Sequence, residues 1–269
     1  MKQNQGPESR NIQGATWSRM MALLLTLALS TALSTGCKTK YILKDAQVKH
    51  TQVTKSNAAD PKMQTLLGPY RKRVDSIMAI PLATAAHDLG KQPGENLLGN
   101  AFTDLLLQSG VRWAQTNGQT VPTLGLLANG GLRVPIAKGP ISMGTMFELM
   151  PFENEVVILT LTGATVSQIA ETQAKYRNLN LAGATIMVEK GVVSSVLIGG
   201  QPLDPSGVYQ LVTIDYLADG GDNMACLAKA NKRLATGDKL RDAFVQELKM
   251  MDKAGIPLGS KLEGRYQEK

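Results

Sequence analysis

Apolar residues recur at intervals of three and four through the first two thirds of the chain and alternate singly later on. After Pro61, the spacing of Leu66, Leu67, Tyr70, Val74 and Met78 predicts a helix with one apolar stripe, a pattern that Gly68 weakens. A strand-like segment, "AIPLATAA", follows. Leu98, Phe102, Leu105 and Leu106 share a second helical face, predicting a helix from about Glu95 to Ser109 that Gly110 stops. "TLGLLAN" reads as a short buried strand opening into the tight turn "GGLR". Ser142 is placed to cap a short helix through Met150, which Pro151 ends. "EVVILTLTG" is another strand, and Thr165 with Gln168 has capping-box spacing at the head of a helix whose Val166, Ile169 and Ala170 face inward.

From residue 184 the period becomes two. "ATIMVE", "VVSSVLI" and "VYQLVTID", separated by "KG" and a glycine- and proline-bearing turn, predict a meander of strands. A last helix, about 238 to 252, sets Leu240, Phe244, Leu248 and Met251 on one side. Helices and strands are mixed, with the strands concentrated late, so the pattern indicates an α+β fold rather than a doubly wound parallel sheet.

The N-terminus stands apart from this pattern. Residues 20–36 form an apolar run preceded by Lys2, Arg10 and Arg19 and ending in small residues, the profile of an export signal over residues 1–36. Ser34, Thr35 and Gly36 directly before Cys37 resemble the lipobox of bacterial lipoproteins, although the usual leucine three places before the cysteine is Ser34. That resemblance implies lipidation of Cys37 and anchoring to the bacterial envelope, at the outer membrane, facing the periplasm or the surface. Residues 37–61 then read as a tether, 62–252 as the folded domain and 253–269 as a polar tail. With Cys37 acylated only Cys226 remains, so no intrachain disulfide forms and stability must come from the core.

The formal charge of +7 falls to +5 once the leader is removed. This modest basic balance favours anionic ligands or a lipid surface, and it lacks the clustered Lys/Arg stripe of a nucleic-acid binder. Metal chemistry finds little support. The histidines are His50 and His87, and there is no HExxH or CxxC pattern, so no cofactor or metal is expected on this chain. "GPISMG" is not a nucleophile elbow, and "ANGGLR" lacks the Lys-Ser/Thr of a phosphate loop.

Other residues do carry possible chemistry. Arg133, directly after Gly130 and Gly131, can present a fork of donors to a phosphate or carboxylate of a ligand, or can pair a carboxylate of the protein itself. Phe152 in "PFENE" and Tyr216 after "QLVTID" sit at element ends beside polar turns, in a chain with four Phe, six Tyr and two Trp. They suit a stacking pair around a flat ligand, with ordinary packing as the alternative. Asp222, beside Gly220 and Gly221, can accept from ligand hydroxyls or close its own turn.

Four segments, "GENLLGNAFTDLLLQSG", "ANGGLRVPIAKGPIS", "LMPFENEVVILTLTG" and "VTIDYLADGGDNM", resemble in order and spacing the C-terminal domain of 5′-nucleotidases and the related UDP-sugar hydrolases and 2′,3′-cyclic phosphodiesterases. The resemblance spans about residues 62–252 and implies a layered α+β fold that binds the nucleoside part of a nucleotide. By motif, Phe152 and Tyr216 would sandwich the base, Asp222 would accept from ribose hydroxyls and Arg133 would meet the phosphate. Asn129, Asn154, Gly130, Gly131, Gly220 and Gly221 complete the candidate substrate-binding set. Ala128 stands where the family usually has an asparagine reaching the base, with Asn129 one place later, and upstream of "GENLLGN", where the animal enzymes carry a further phosphate-binding arginine, this chain reads "HDLGKQPGE", in which Lys91 would substitute as a point charge. Complete enzymes of the family add a metallophosphatase domain with two metal ions. The resemblance therefore implies a recognition half whose partner is a separate metallophosphatase chain carrying the divalent metals, the alternative being a non-catalytic nucleoside- or nucleotide-binding lipoprotein.

Overall fold

In the computed structural model, residues 57–269 are described, together with Met21, Leu24, Val48, His50, Gln52 and Thr54. Cys37 and all of the predicted leader except Met21 and Leu24 lie outside the described residues. The chain divides into two units, Met1–Ala58 and Ala59–Lys269. In the first, the Asn57 N–H donates to the Thr54 carbonyl at 3.0 Å. The second holds all the elements below.

Helix α1, Pro61–Met78, begins where Asp60 accepts from the Lys62 N–H at 2.8 Å and Pro61, at the first helical turn, has no N–H to leave unpaired. It follows the predicted span, but no residue of it is buried, so its apolar stripe faces solvent and not the core. β1, Pro81–Ala85, then pairs antiparallel with β3, Gly139–Ser142.

α2, Leu97–Thr116, is capped by Asn96 and runs past Gly110, correcting the predicted stop. A Cβ at Gly110 would lie 2.8 Å from Val212, so the glycine lets the helix press against the sheet; it does not end the helix. Leu98, Phe102, Leu105 and Leu106 are buried as predicted. Phe102 meets Phe244 edge to face, ring centroids 5.1 Å apart, and each ring's burial contributes about 1.5–3 kcal/mol. Phe244 lies on α6, Leu240–Lys253, whose Leu248 is also buried.

The sheet these helices cover has the order β10-β4-β9-β2-β5. Its strands are β2 Leu124–Ala128, β4 Glu155–Thr162, β5 Leu179–Ala182, β9 Val208–Ile214 and β10 Lys232–Lys239. β2 and β9 are parallel; the other pairings in this sheet are antiparallel. Between β3 and β4 lies α3, Met143–Leu149, whose N-terminus carries the reciprocal Ser142 and Thr145 capping box. α4, Gly163–Tyr176, is capped by Thr162, three residues before the predicted cap, and buries Val166, Ile169 and Ala170.

A second sheet, ordered β11-β6-β7-β8, contains β6 Ala184–Glu189, β7 Val192–Ile198, β8 Gln201–Pro202 and β11 Tyr266–Glu268. Two expectations fail here. The predicted meander is split, because β6 and β7 form a hairpin while β9 enters the centre of the other sheet, where Leu211, Val212, Thr213 and Ile214 are all buried. The predicted polar tail is part of the domain: β11 pairs in parallel with β6, and the Arg265 guanidinium grips both oxygens of Asp104 at 2.8 Å. Three strand residues are too short a run to show alternation, so the sequence leaves this pairing invisible. The fold class itself, α+β with helices on mixed sheets, is as expected.

A candidate nucleotide-binding cavity

Strand direction brings the candidate residues to one edge of the five-stranded sheet. β2 and β9 run parallel, so the segments leaving their C-terminal ends emerge on the same side. β4 runs antiparallel to β9 with Val156 opposite Ile214, so the segment entering β4 arrives at that side too. Arg133 follows β2, Tyr216 follows β9, and Phe152 and Asn154 precede β4. Residues far apart in sequence are neighbours because three strand ends are.

They line a cavity of about 360 Å³ together with Ala128, Gly130, Gly131 and Asp222. Its walls are otherwise apolar, from Leu127, Leu132, Met150, Ile214 and Leu240. An apolar cleft with a few fixed polar groups is the usual construction of a small-molecule site.

Phe152 is 47% exposed and Tyr216 49%, values that separate them from the packed rings Phe102 and Phe244 at 0%. Tyr216 sits on the one-turn helix α5, Asp215–Ala218, where its N–H donates to Asp215 Oδ1 at 2.7 Å. Its ring lies over Gly221: a Cβ there would be 2.5 Å from the ring carbons. Glycine at this position thus gives the ring a flat seat. The Tyr216 hydroxyl donates to Asp222 Oδ1 at 3.3 Å, which fixes the ring's tilt.

Asp222 itself adopts a left-handed backbone, φ 49° and ψ 39°, within a 3₁₀ turn that follows Gly220 at φ 98°. Aspartate tolerates this region better than most residues do. The result turns Asp222 toward the opposite loop: a Cβ on Gly130 would lie 3.7 Å from Asp222 Oδ2. The Gly130 turn and the Asp222 turn therefore come close together where they line the cavity.

Arg133 is exposed, with its guanidinium carbon 6.0 Å from the centre of the Phe152 ring and Nη1 donating to the Gly130 carbonyl at 3.2 Å. Arg133 pairs no carboxylate among the described residues, so the alternative of an internal ion pair is not realised there. Lys91 joins it from a distant loop, its ammonium donating to the Leu132 carbonyl at 2.6 Å. Burial lowers the Lys91 pKa from the ordinary lysine value, and the Arg133 charge lowers it further. Two cations thus stand beside one loop, and an anion placed there would relieve their mutual repulsion.

Asn129 is a correction. Its side chain turns into the interior and does not line the cavity: Oδ1 accepts from Asn96 and Asn180 at 3.1 and 3.2 Å, and Nδ2 donates to the Gln92 carbonyl at 2.9 Å. A buried amide is held by whatever satisfies it, and here a network of three asparagines does. Gly220 and Gly221 also lie outside the lining, acting through the turn and the ring seat. Asn154 does line the cavity, with Nδ2 donating to Asp215 Oδ1 at 3.2 Å.

Sequence reading missed Arg241. This side chain, 8% exposed, donates to the Met150 and Phe152 carbonyls at 3.2 and 3.5 Å, pairs with Glu153 and lies 3.9 Å over the Phe147 ring. The Arg241 hydrogen bond holds the Glu153 carboxyl below its usual pKa. Arg241 thus ties down the segment that carries Phe152. Its sequence signal is only one arginine on an amphipathic helix.

Among the described residues no group of three or more His, Cys, Asp or Glu side chains is placed to hold a metal.

A layered α+β domain with a ring-lined, cation-edged cavity at the strand ends defines the class of protein. The match to the family described as "5'-nucleotidase, C-terminal domain" covers residues 81–229, and the chain belongs to that family. It is 23% identical over 239 residues to Silent protein UshA(0) of Salmonella typhimurium, covering 81% of this chain and 40% of that protein. To an apyrase of Tabanus yao it is 28% identical over 174 residues, covering 56% of this chain and 31% of the apyrase. Among solved structures, the 5′-nucleotidase precursor from Thermus thermophilus superposes with a TM-score of 0.65 at 26% identity, over 76% of this chain and 42% of that one. The chain thus spans well under half the length of these relatives.

Proposed function

We propose that this chain is the nucleotide-recognition part of a 5′-nucleotidase-type phosphohydrolase, with a metallophosphatase on a separate chain supplying the dimetal catalytic centre. The observation that carries the reading is the pair of half-exposed rings, Phe152 and Tyr216, lining one cavity with Asp222 and Arg133. A base stacks between the rings. The ribose hydroxyls donate to Asp222, whose Oδ2 faces the Gly130 turn while Oδ1 holds the Tyr216 hydroxyl. The phosphate meets Arg133, with the Lys91 ammonium adding charge from behind. Membership of the family and the names of its relatives, nucleotidase and apyrase, agree with a nucleotide ligand.

Calorimetry on the purified chain tests this directly. Adenosine monophosphate should bind more tightly than adenosine, and Arg133→Met should narrow that gap while leaving adenosine binding in place. Absence of binding by either ligand would overturn the reading. Nucleotide binding without phosphate release, whichever candidate metallophosphatase and divalent metal are added, would favour a non-catalytic nucleotide-binding protein.

In the same reading the chain is exported and held to the bacterial envelope by an acylated Cys37. Mass spectrometry of the membrane-extracted protein should find an acylated N-terminal cysteine, and Cys37→Ser should abolish that modification.

A further inference from the structure

The cavity accounts for the rings and charges at the strand ends, but not for α1. Met63, Leu66, Leu67, Tyr70, Val74 and Ile77 are between 41% and 68% exposed. At about 3.6 residues per turn they fall on one face, so α1 shows a continuous apolar stripe rather than scattered apolar residues. Its C-terminal end meets α3, where Gly144 approaches the Met78 carbonyl, and the Ile80 carbonyl accepts from the Met143 N–H at 2.9 Å.

The charges on α1 tell what the stripe faces. The helix carries Lys62, Arg71, Lys72 and Arg73 against the single acid Asp75. On the helical wheel, Arg71 borders one side of the stripe and Arg73 with Lys62 the other. Long basic side chains beside an apolar face can extend their charges outward while their methylenes stay with the apolar surface. Two copies packed stripe to stripe would bring these basic borders together with only Asp75 to offset them. An anionic surface meets the same charges favourably.

Pro69 fits this arrangement. It cannot donate to the Thr65 carbonyl four residues back, and both residues lie on the face away from the stripe. The polar group that the proline leaves over is then hydrated, not placed in hydrocarbon.

We infer that α1 is an interfacial helix that lies on an anionic lipid bilayer, with Leu66, Leu67, Tyr70 and Val74 in the boundary between headgroups and acyl chains and the Lys62, Arg71 and Arg73 charges among the headgroups. This membrane contact is separate from acylation at Cys37 and from nucleotide binding. It gives the domain a second attachment, next to the cavity-bearing fold.

A position-specific probe tests it in the full-length chain. With Cys37→Ser and Cys226→Ala, an environment-sensitive fluorophore is attached through Tyr70→Cys, or through Thr65→Cys on the opposite face. On vesicles containing phosphatidylglycerol, the probe at position 70 should brighten and shift to the blue, while that at position 65 stays as in buffer. The position 70 signal should fall with added salt, and should be lost with Lys62→Gln, Arg71→Gln and Arg73→Gln together, in a protein whose circular dichroism matches the parent. An unchanged probe at position 70 on these vesicles would overturn the inference, as would an equal response on pure phosphatidylcholine. Burial of position 70 that rises with protein concentration and needs no vesicles would overturn it in favour of pairing between copies.

Discussion

Tyr216 is held from three sides: by its helix turn, by the Asp222 carboxylate and by the bare α-carbon of Gly221. Gly221 does not itself have a positive φ, so an added methyl there acts on the ring more than on the backbone. Gly221→Ala should displace the ring and weaken adenosine binding about as much as Tyr216→Ala does. Each should cost roughly 1–3 kcal/mol, the range for loss of one stacking surface, and should leave the melting temperature nearly unchanged because the ring is half exposed. Calorimetry and thermal denaturation on both variants check this.

Lys91 supplies a pH dependence at the same scale. Its pKa is lowered, so its ammonium loses the proton at a lower pH than an ordinary lysine would. The charge is present below that lowered value and lost above it, whereas a bound phosphate favours keeping it. Binding of adenosine monophosphate should therefore weaken as pH rises into the alkaline range, while adenosine binding stays flat. Lys91→Met should remove the dependence.

At the scale of elements, the segment between α3 and β4 depends on a helix distant in sequence. Arg241, on α6, bonds the Met150 and Phe152 carbonyls and pairs with Glu153. Replacing it with methionine keeps much of its packing and removes these bonds. Arg241→Met should cost about 1.5–3 kcal/mol of stability, the usual worth of hydrogen bonds to a charged group, and should also weaken nucleotide binding through a looser Phe152. Urea denaturation measures the first effect and calorimetry the second. A stability loss with unaltered affinity would show that Phe152 does not depend on this tie.

For the molecule as a whole, the C-terminal segment is what joins the second sheet to α2. Arg265 contacts Asp104 with two nitrogens, bonds the Leu181 carbonyl at 3.0 Å and pairs with Glu263, with 13% of its side chain exposed. Burial opposes its charge, while Asp104 and Glu263 sustain it, and the net effect raises its pKa. Arg265→Met should destabilise the domain by about 2–3 kcal/mol, seen as an earlier urea midpoint, because Asp104 and the Leu181 carbonyl lose their partner. The cavity lies among other elements, so adenosine affinity at low temperature should hardly change.

Local pattern made the helices and most strands readable, since three-and-four spacing, Ser142, Pro151 and the buried run at Leu124 are all short-range signals. It also marked Arg133, Phe152, Tyr216 and Asp222, because scarce rings and a glycine-flanked acid are conspicuous in the sequence. Partnership was not readable. Whether β9 follows β7 or crosses to lie beside β4, whether Gly110 ends a helix or admits a strand's side chain, and whether Asn129 faces a ligand or two other asparagines depend on residues dozens of positions away. Strand pairing and buried polar satisfaction are non-local, so only the folded chain decides them, and the cavity exists because parallel β2 and β9 and antiparallel β4 bring three loops to one edge.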